Sequence, residues 1–147
     1  MNERKIWVFF YGLFMDFKIL KERGLTVEEW RVGQLYGYNF QIASWGYLQR
    51  SRETSVYGII VAANHTELAK LYDANTNGLP ALDYFPEPVI IETLADEWIP
   101  ALCYVASKQP SGSINVQYVE SMVELAETYG FPKWYCAHLA SFGVSKR

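Results

Sequence analysis

Apolar positions along the chain fall into two rhythms, and their alternation lays out the elements. Ile6 to Tyr11 is an unbroken run of β-branched and aromatic residues stopped by Gly12, the pattern of a strand buried on both faces. Met15 to Arg23 follows with Phe14, Phe17 and Leu20 at helical spacing, and Gly24 can end it. Leu35 to Ala43 alternates, which predicts a strand with Tyr36, Tyr38, Phe40 and Ile42 on one face. Ser44 to Ser55 contains glycine and the charged group Arg50-Ser-Arg-Glu53, and reads as a loop. Val56 to Ala63 is a second buried strand. Asn64 is placed to N-cap a helix in which His65 takes the first position, Glu67 can bond back, and Leu68, Leu71 and Tyr72 form the apolar stripe.

Asn75 to Pro88 is rich in Gly, Pro, Asn and Asp, so a loop is expected, anchored by Tyr84 and Phe85. Val89 to Glu92 and Trp98 to Ala106 pattern as a hairpin around Ala95-Asp-Glu97. The connector Lys108 to Asn115 leads to a helix from Val116 to Tyr129, with Val116, Val119, Val123 and Ala126 at helical spacing and Gly130 as its stop. Pro132 opens a last helix through Ala140, with Tyr135, His138 and Leu139 on its inner side. Strands dominate, a few helices intervene, and two helices close the chain. That order predicts an α+β fold, with a sheet that can curl into a barrel.

The chain has 147 residues, half of them apolar and 16% aromatic, enough to bury a substantial core in one domain spanning 1–147. Net charge is −3, and no basic cluster exceeds a pair such as Arg50 and Arg52, which disfavours nucleic acid or an anionic membrane as partner. Met1 to Lys5 with the apolar run Ile6 to Met15 imitates a secretory leader, yet Asp16-Phe-Lys18 follows in place of a small-residue cleavage site. No apolar stretch approaches the roughly 20 residues that span a bilayer. Two cysteines, Cys103 and Cys136, make no secreted framework, so a cytoplasmic protein is expected.

Generic catalytic inventories are thin. His65 and His138 lie far apart, and Cys136 and His138 are two apart on a helix, where side chains diverge, so neither a metal site nor a Cys–His pair is expected. Phosphate-loop and dinucleotide fingerprints are absent, and no cofactor is implied. The junction Phe10-Tyr-Gly-Leu-Phe-Met15 is different. A buried strand turns at glycine into a helix, and such a corner presents backbone N–H groups where a carboxylate or oxyanion is favoured. Packing alone also makes such corners.

Three further segments weight the functional side. Phe10 to Met15 resembles the Tyr-Gly-Ser-Leu-type loop of the gamma-glutamylcyclotransferase-like family, and Val56-Tyr-Gly-Ile-Ile60 resembles its Val-Trp/Tyr-Gly strand. Leu68-Ala-Lys-Leu71 stands in the place of its Leu-x-x-Leu helix. Pro110-Ser111, Tyr118, Ala126-Glu127, Gly130-Phe-Pro132, Tyr135 and Leu139 are similar to the closing segment of the larger cyclotransferase branch.

The resemblance implies a small closed mixed β-barrel flanked by helices, with a cavity for a γ-glutamyl group held by Tyr11, Gly12, Leu13 and Phe14 and bordered by Tyr118 and Tyr135. It also implies a reaction in which the α-amine attacks the γ-carbonyl, releasing 5-oxoproline and an amine or amino acid. The family gives the proton transfers to one glutamate in a Leu-Asp-x-x-Glu-Gly pattern. Here that stretch reads Leu71-Tyr-Asp-Ala-Asn-Thr76, which puts Asn75 at the glutamate position. Leu13 likewise replaces the usual serine. Asp73, or Glu87 and Asp83 further on, are the available substitute carboxylates, and Arg50 and Arg52 could meet a substrate carboxylate. Two functions follow: a cyclotransferase with a relocated base, or a non-catalytic protein that binds the same small molecule. A homodimer is compatible with either.

Overall fold

The computed structural model describes residues 4–72, 84–106, 110 and 112–143. Five strands close into a mixed barrel in the order β1-β3-β2-β4-β5. They are β1 (Ile6–Phe10), β2 (Trp30–Ile42), β3 (Gly46–Ala63), β4 (Tyr84–Thr93) and β5 (Trp98–Ala106). All neighbours run antiparallel except β1 and β5, whose parallel pairs Val8–Leu102 and Phe9–Cys103 close the ring. Val8, Phe9 and Phe10 are consecutively buried, as an unbroken apolar strand requires. The expected α+β barrel flanked by helices is the observed architecture.

The helices are α1 (Phe17–Glu22), α2 (His65–Leu71), α3 (Val116–Thr128) and α4 (Lys133–Ser141). The capping box at α2 is formed: Asn64 accepts from the Glu67 N–H, and Glu67 accepts from the Asn64 N–H. The predicted helix from Met15 divides in two. Leu13–Met15 forms a 3₁₀ turn, then Asp16 adopts an extended backbone and its side chain caps α1 at the Lys18 N–H. An aspartate that can cap outcompetes one that continues a helix. On α4, Tyr135 and Leu139 are buried and the His138 imidazole donates through Nε2 to the Phe40 carbonyl at 2.8 Å.

Three strand expectations are corrected. Ser44 to Ser55 is not a loop: β3 starts at Gly46 and pairs with β2 from Ile42–Gly46 upward. The charged residues sit on the solvated side of that ribbon, where Arg50 lies over the Tyr38 ring at 5.4 Å. Tyr36 does not share a face with Phe40 and Ile42. The β2–β3 register shifts between Tyr36 and Tyr38, with Gly37 at φ +90° between them. Burial therefore switches from odd positions (Leu35) to even ones (Phe40, Ile42), and Tyr36 is left 49% exposed.

The third correction is β4, which begins at Tyr84, inside the segment expected to be loop. Pro86 and Pro88 misled the reading, because proline argues against a ladder. Among the described residues, β2 meets β4 only at Gln34–Glu92 and Gly33–Thr93, so over the proline stretch one edge makes no demand for N–H donors.

Candidate functional site: an aromatic cavity at the glycine turn

The corner after β1 borders a cavity of about 100 Å³, with Tyr11, Gly12, Leu13 and Phe14 in its wall. Tyr118 reaches it from the first turn of α3, and Trp45 and Gly46 from the tip of the β2–β3 hairpin. Tyr72, the C-cap of α2, and Tyr84, the first residue of β4, complete the side opposite. Four separate chain segments thus converge on the turn that sequence singled out.

Their positions are fixed by specific contacts. The Tyr11 hydroxyl donates to the Tyr104 carbonyl at 2.6 Å, which ties the end of β1 to β5. The Tyr104 ring stacks on Tyr72 with centroids 4.0 Å apart, and Tyr72 meets Phe14 edge-on at 5.5 Å. On the other side, the Asn115 N–H donates to the Ala43 carbonyl at 3.1 Å, docking α3 onto the hairpin tip. Tyr118, three residues later, places its hydroxyl between two glycines: a Cβ on Gly12 would lie 3.0 Å from it, and one on Gly46 only 2.6 Å.

The Tyr118 hydroxyl of α3 is thus packed against both glycines at the turn. Gly12 has φ −117°, outside the left-handed region, and a Cβ there would press on the Tyr118 hydroxyl, which would have to give by a few tenths of an ångström.

Electrostatically the wall is neutral. Burial pushes the phenols of Tyr11, Tyr72 and Tyr118 well above their ordinary value, and that of Tyr84 upward, so all four stay protonated at physiological pH. Among the described residues lining the cavity, none is a carboxylate, imidazole or amine. The Cys103 thiol is likewise held up by burial, which removes a thiolate nucleophile from the barrel interior. No cluster of three or more metal-ligating side chains occurs among the described residues.

The remaining sequence candidates separate. Tyr135 is 1% exposed and packs among Tyr57, Phe131 and Trp134, in the core and away from the cavity wall. Glu87 lies on β4 with its side chain 41% exposed, 4.0 Å from the Arg50 guanidinium, and does not line the cavity. Asn75, Asp73 and Asp83 fall outside the described residues. Trp45, Gly46, Tyr72 and Tyr84 were missed, because the first two were assigned to a loop and the others to helix stripe and loop anchor. A Trp-Gly pair at the tip of a long hairpin was the available signal.

Tyr118 and Tyr135 therefore make a contrasting pair. Tyr118→Phe removes the hydroxyl that lies between Gly12 and Gly46 at the cavity wall, and is expected to weaken binding of a cavity ligand about tenfold or more. Tyr135→Phe is expected to leave binding unchanged. Titration calorimetry on both variants checks this, and equal effects would show that Tyr118 does not shape the cavity.

Comparison with known proteins gives this geometry its kin. The sequence matches the AIG2-like family over residues 55–139, more than half of the chain. No curated protein matches it. The fold is similar to a solved structure described as a gamma-glutamyl cyclotransferase, with a TM-score of 0.81 and 17% identity over 98% of this chain and 91% of that one. An uncharacterised protein from Homo sapiens aligns with a TM-score of 0.80 and 17% identity, covering 99% of this chain and 92% of that one. A yeast gamma-glutamyl cyclotransferase specific to glutathione aligns with a TM-score of 0.67 and 11% identity over 96% of each chain. With the family match spanning β3 to α4, the chain belongs to the AIG2-like family, and its barrel fold is shared with these gamma-glutamyl cyclotransferase structures.

Proposed function

We propose that the cavity binds a γ-glutamyl amine or γ-glutamyl amino acid and folds it for cyclotransfer, in which the α-amine attacks the γ-carbonyl and 5-oxoproline and the free amine leave. The observation that carries this reading is the convergence of β1, the β2–β3 hairpin tip, α2 and α3 on one enclosed space at the glycine turn. Ring closure is intramolecular, so holding the amine near the carbonyl supplies much of the rate. Neutral aromatic walls exclude water and bring out the strength of each hydrogen bond to the ligand.

The proton on the α-ammonium needs an acceptor, and the described wall offers none at neutral pH. Asp73, two residues before the family's glutamate position, is the substitute closest to it in sequence, whereas Glu87 is engaged with Arg50. Asn75 and the neutral wall favour a second reading: a protein that binds the γ-glutamyl ligand and does not turn it over. An amide can hydrogen-bond an ammonium but cannot take its proton near neutrality.

Incubation with γ-glutamyl dipeptides and γ-glutamyl amines, followed for 5-oxoproline and for heat of binding, tests both. Release that survives Asn75→Ala and disappears in Asp73→Asn places the base at Asp73. Saturable binding without release selects the second reading, and absence of both removes the γ-glutamyl assignment.

A further inference from the structure

Trp45 sits in the cavity wall next to Gly46, and its indole Nε1–H is buried with no hydrogen-bond partner. A buried donor left unpaired is costly; of the two such side-chain atoms among the described residues, the Trp45 nitrogen and the Tyr135 hydroxyl, only the first belongs to a residue of the cavity wall. Indole nitrogen only donates, so its missing partner is an acceptor.

We infer that the Trp45 indole N–H is a ligand-binding donor that recognises the acyl oxygen of the γ-glutamyl group, an inference that rests on the γ-glutamyl reading above. That ligand offers two acceptors, the α-carboxylate and the γ-carbonyl. A carboxylate set against a neutral indole in an aromatic wall loses hydration without gaining a cation, whereas a carbonyl loses little. As the amine attacks, the same oxygen gains negative charge, and a preorganised neutral donor then gains strength. In the product that oxygen is the lactam carbonyl of 5-oxoproline. Trp45 would thereby select amide-bearing ligands over free amino acids.

Protein labelled with ¹⁵N shows the five indole N–H groups directly, and the signal missing from Trp45→Phe identifies Trp45. On titration with 5-oxoproline, the Trp45 signal is expected to move downfield, and Trp45→Phe to bind 5-oxoproline about tenfold more weakly. If 5-oxoproline binds while that signal stays put and Trp45→Phe binds equally, the inference is overturned. 2-Pyrrolidinone, which keeps the lactam and lacks the carboxylate, separates the two levels of the argument. If it shifts Trp45 while 5-oxoproline and γ-glutamyl dipeptides do not bind, the donor role stands and the γ-glutamyl reading fails. A Trp45 signal unmoved by every probe defeats the inference, whatever the folding of the variant.

Discussion

Asn75→Glu is expected to raise 5-oxoproline release by about 100- to 10,000-fold, the range a positioned acid–base group contributes. The rationale is chemical. Cyclotransfer needs one group that takes a proton from the α-ammonium and returns it to the departing amine, and on the proposed reading position 75 is where a carboxylate would do so. Release by the variant should rise with pH through the new carboxylate's pKa, because the ionised form is the base. An initial-rate profile on γ-glutamyl dipeptides reads both quantities. A variant that binds these compounds and releases no more 5-oxoproline than the wild type would show that position 75 does not reach the reacting atoms.

Gly58→Ala is expected to cost about 3 kcal/mol of stability, the upper part of the range for overpacking a well-filled core. A Cβ at Gly58 would lie 2.3 Å from the Phe10 carbonyl oxygen and 2.8 Å from the Phe9 ring. Backbone of β1 cannot swing aside as a side-chain tip can, so the strand itself must move. For a chain of this length the midpoint of thermal unfolding should drop by roughly 10 °C. Gly37→Ala is the control: its φ of +90° carries a conformational cost of about 1–2 kcal/mol, but nothing lies within 4 Å of the added methyl. If the two variants melt together, the close approach of β3 to β1 is not what glycine serves at position 58. Because Phe10 leads directly into the turn, Gly58→Ala should also weaken cavity binding, an effect Gly37→Ala should lack.

The elements that sequence disclosed are those whose signals are local. The Asn64–Glu67 capping box, the unbroken run of β1 and the periodicity of α3 are each complete within a few residues, and each formed as read. What escaped depends on partners far along the chain. Nothing near Arg50 or Glu53 announces a strand; β3 persists there because β2 supplies the ladder beneath it. Among the described residues, that edge of β4 has no ladder partner over Pro86 and Pro88, which lets the prolines stand there. The parity change at Gly37 is invisible to an alternation count, which assumes an unbroken register.

The same division holds at the site. The turn at Tyr11 to Phe14 was legible because it is contiguous, and Tyr118 through its family likeness. Trp45, Tyr72 and Tyr84 enter the wall through a hairpin tip, a helix end and a strand start, and only barrel closure makes them neighbours. Tyr135, an aromatic at a family-like position, lies buried among Tyr57, Phe131 and Trp134 and not in the cavity wall.

The parallel seam between β1 and β5 sets the order in which this molecule can assemble. Hairpins β2–β3 and β4–β5 join neighbours in the chain, but Val8–Leu102 and Phe9–Cys103 unite the first strand with the last across the whole barrel sequence. The loop-closure entropy of that join is the largest in the barrel, and it is repaid only after the rest of the ring exists. During synthesis, β1 leaves the ribosome first and has no partner on one edge until β5 has followed, so its buried run Val8-Phe9-Phe10 stays open to other chains for that whole interval. The strand that delivers the glycine turn is thus also the one with the longest wait for its last neighbour.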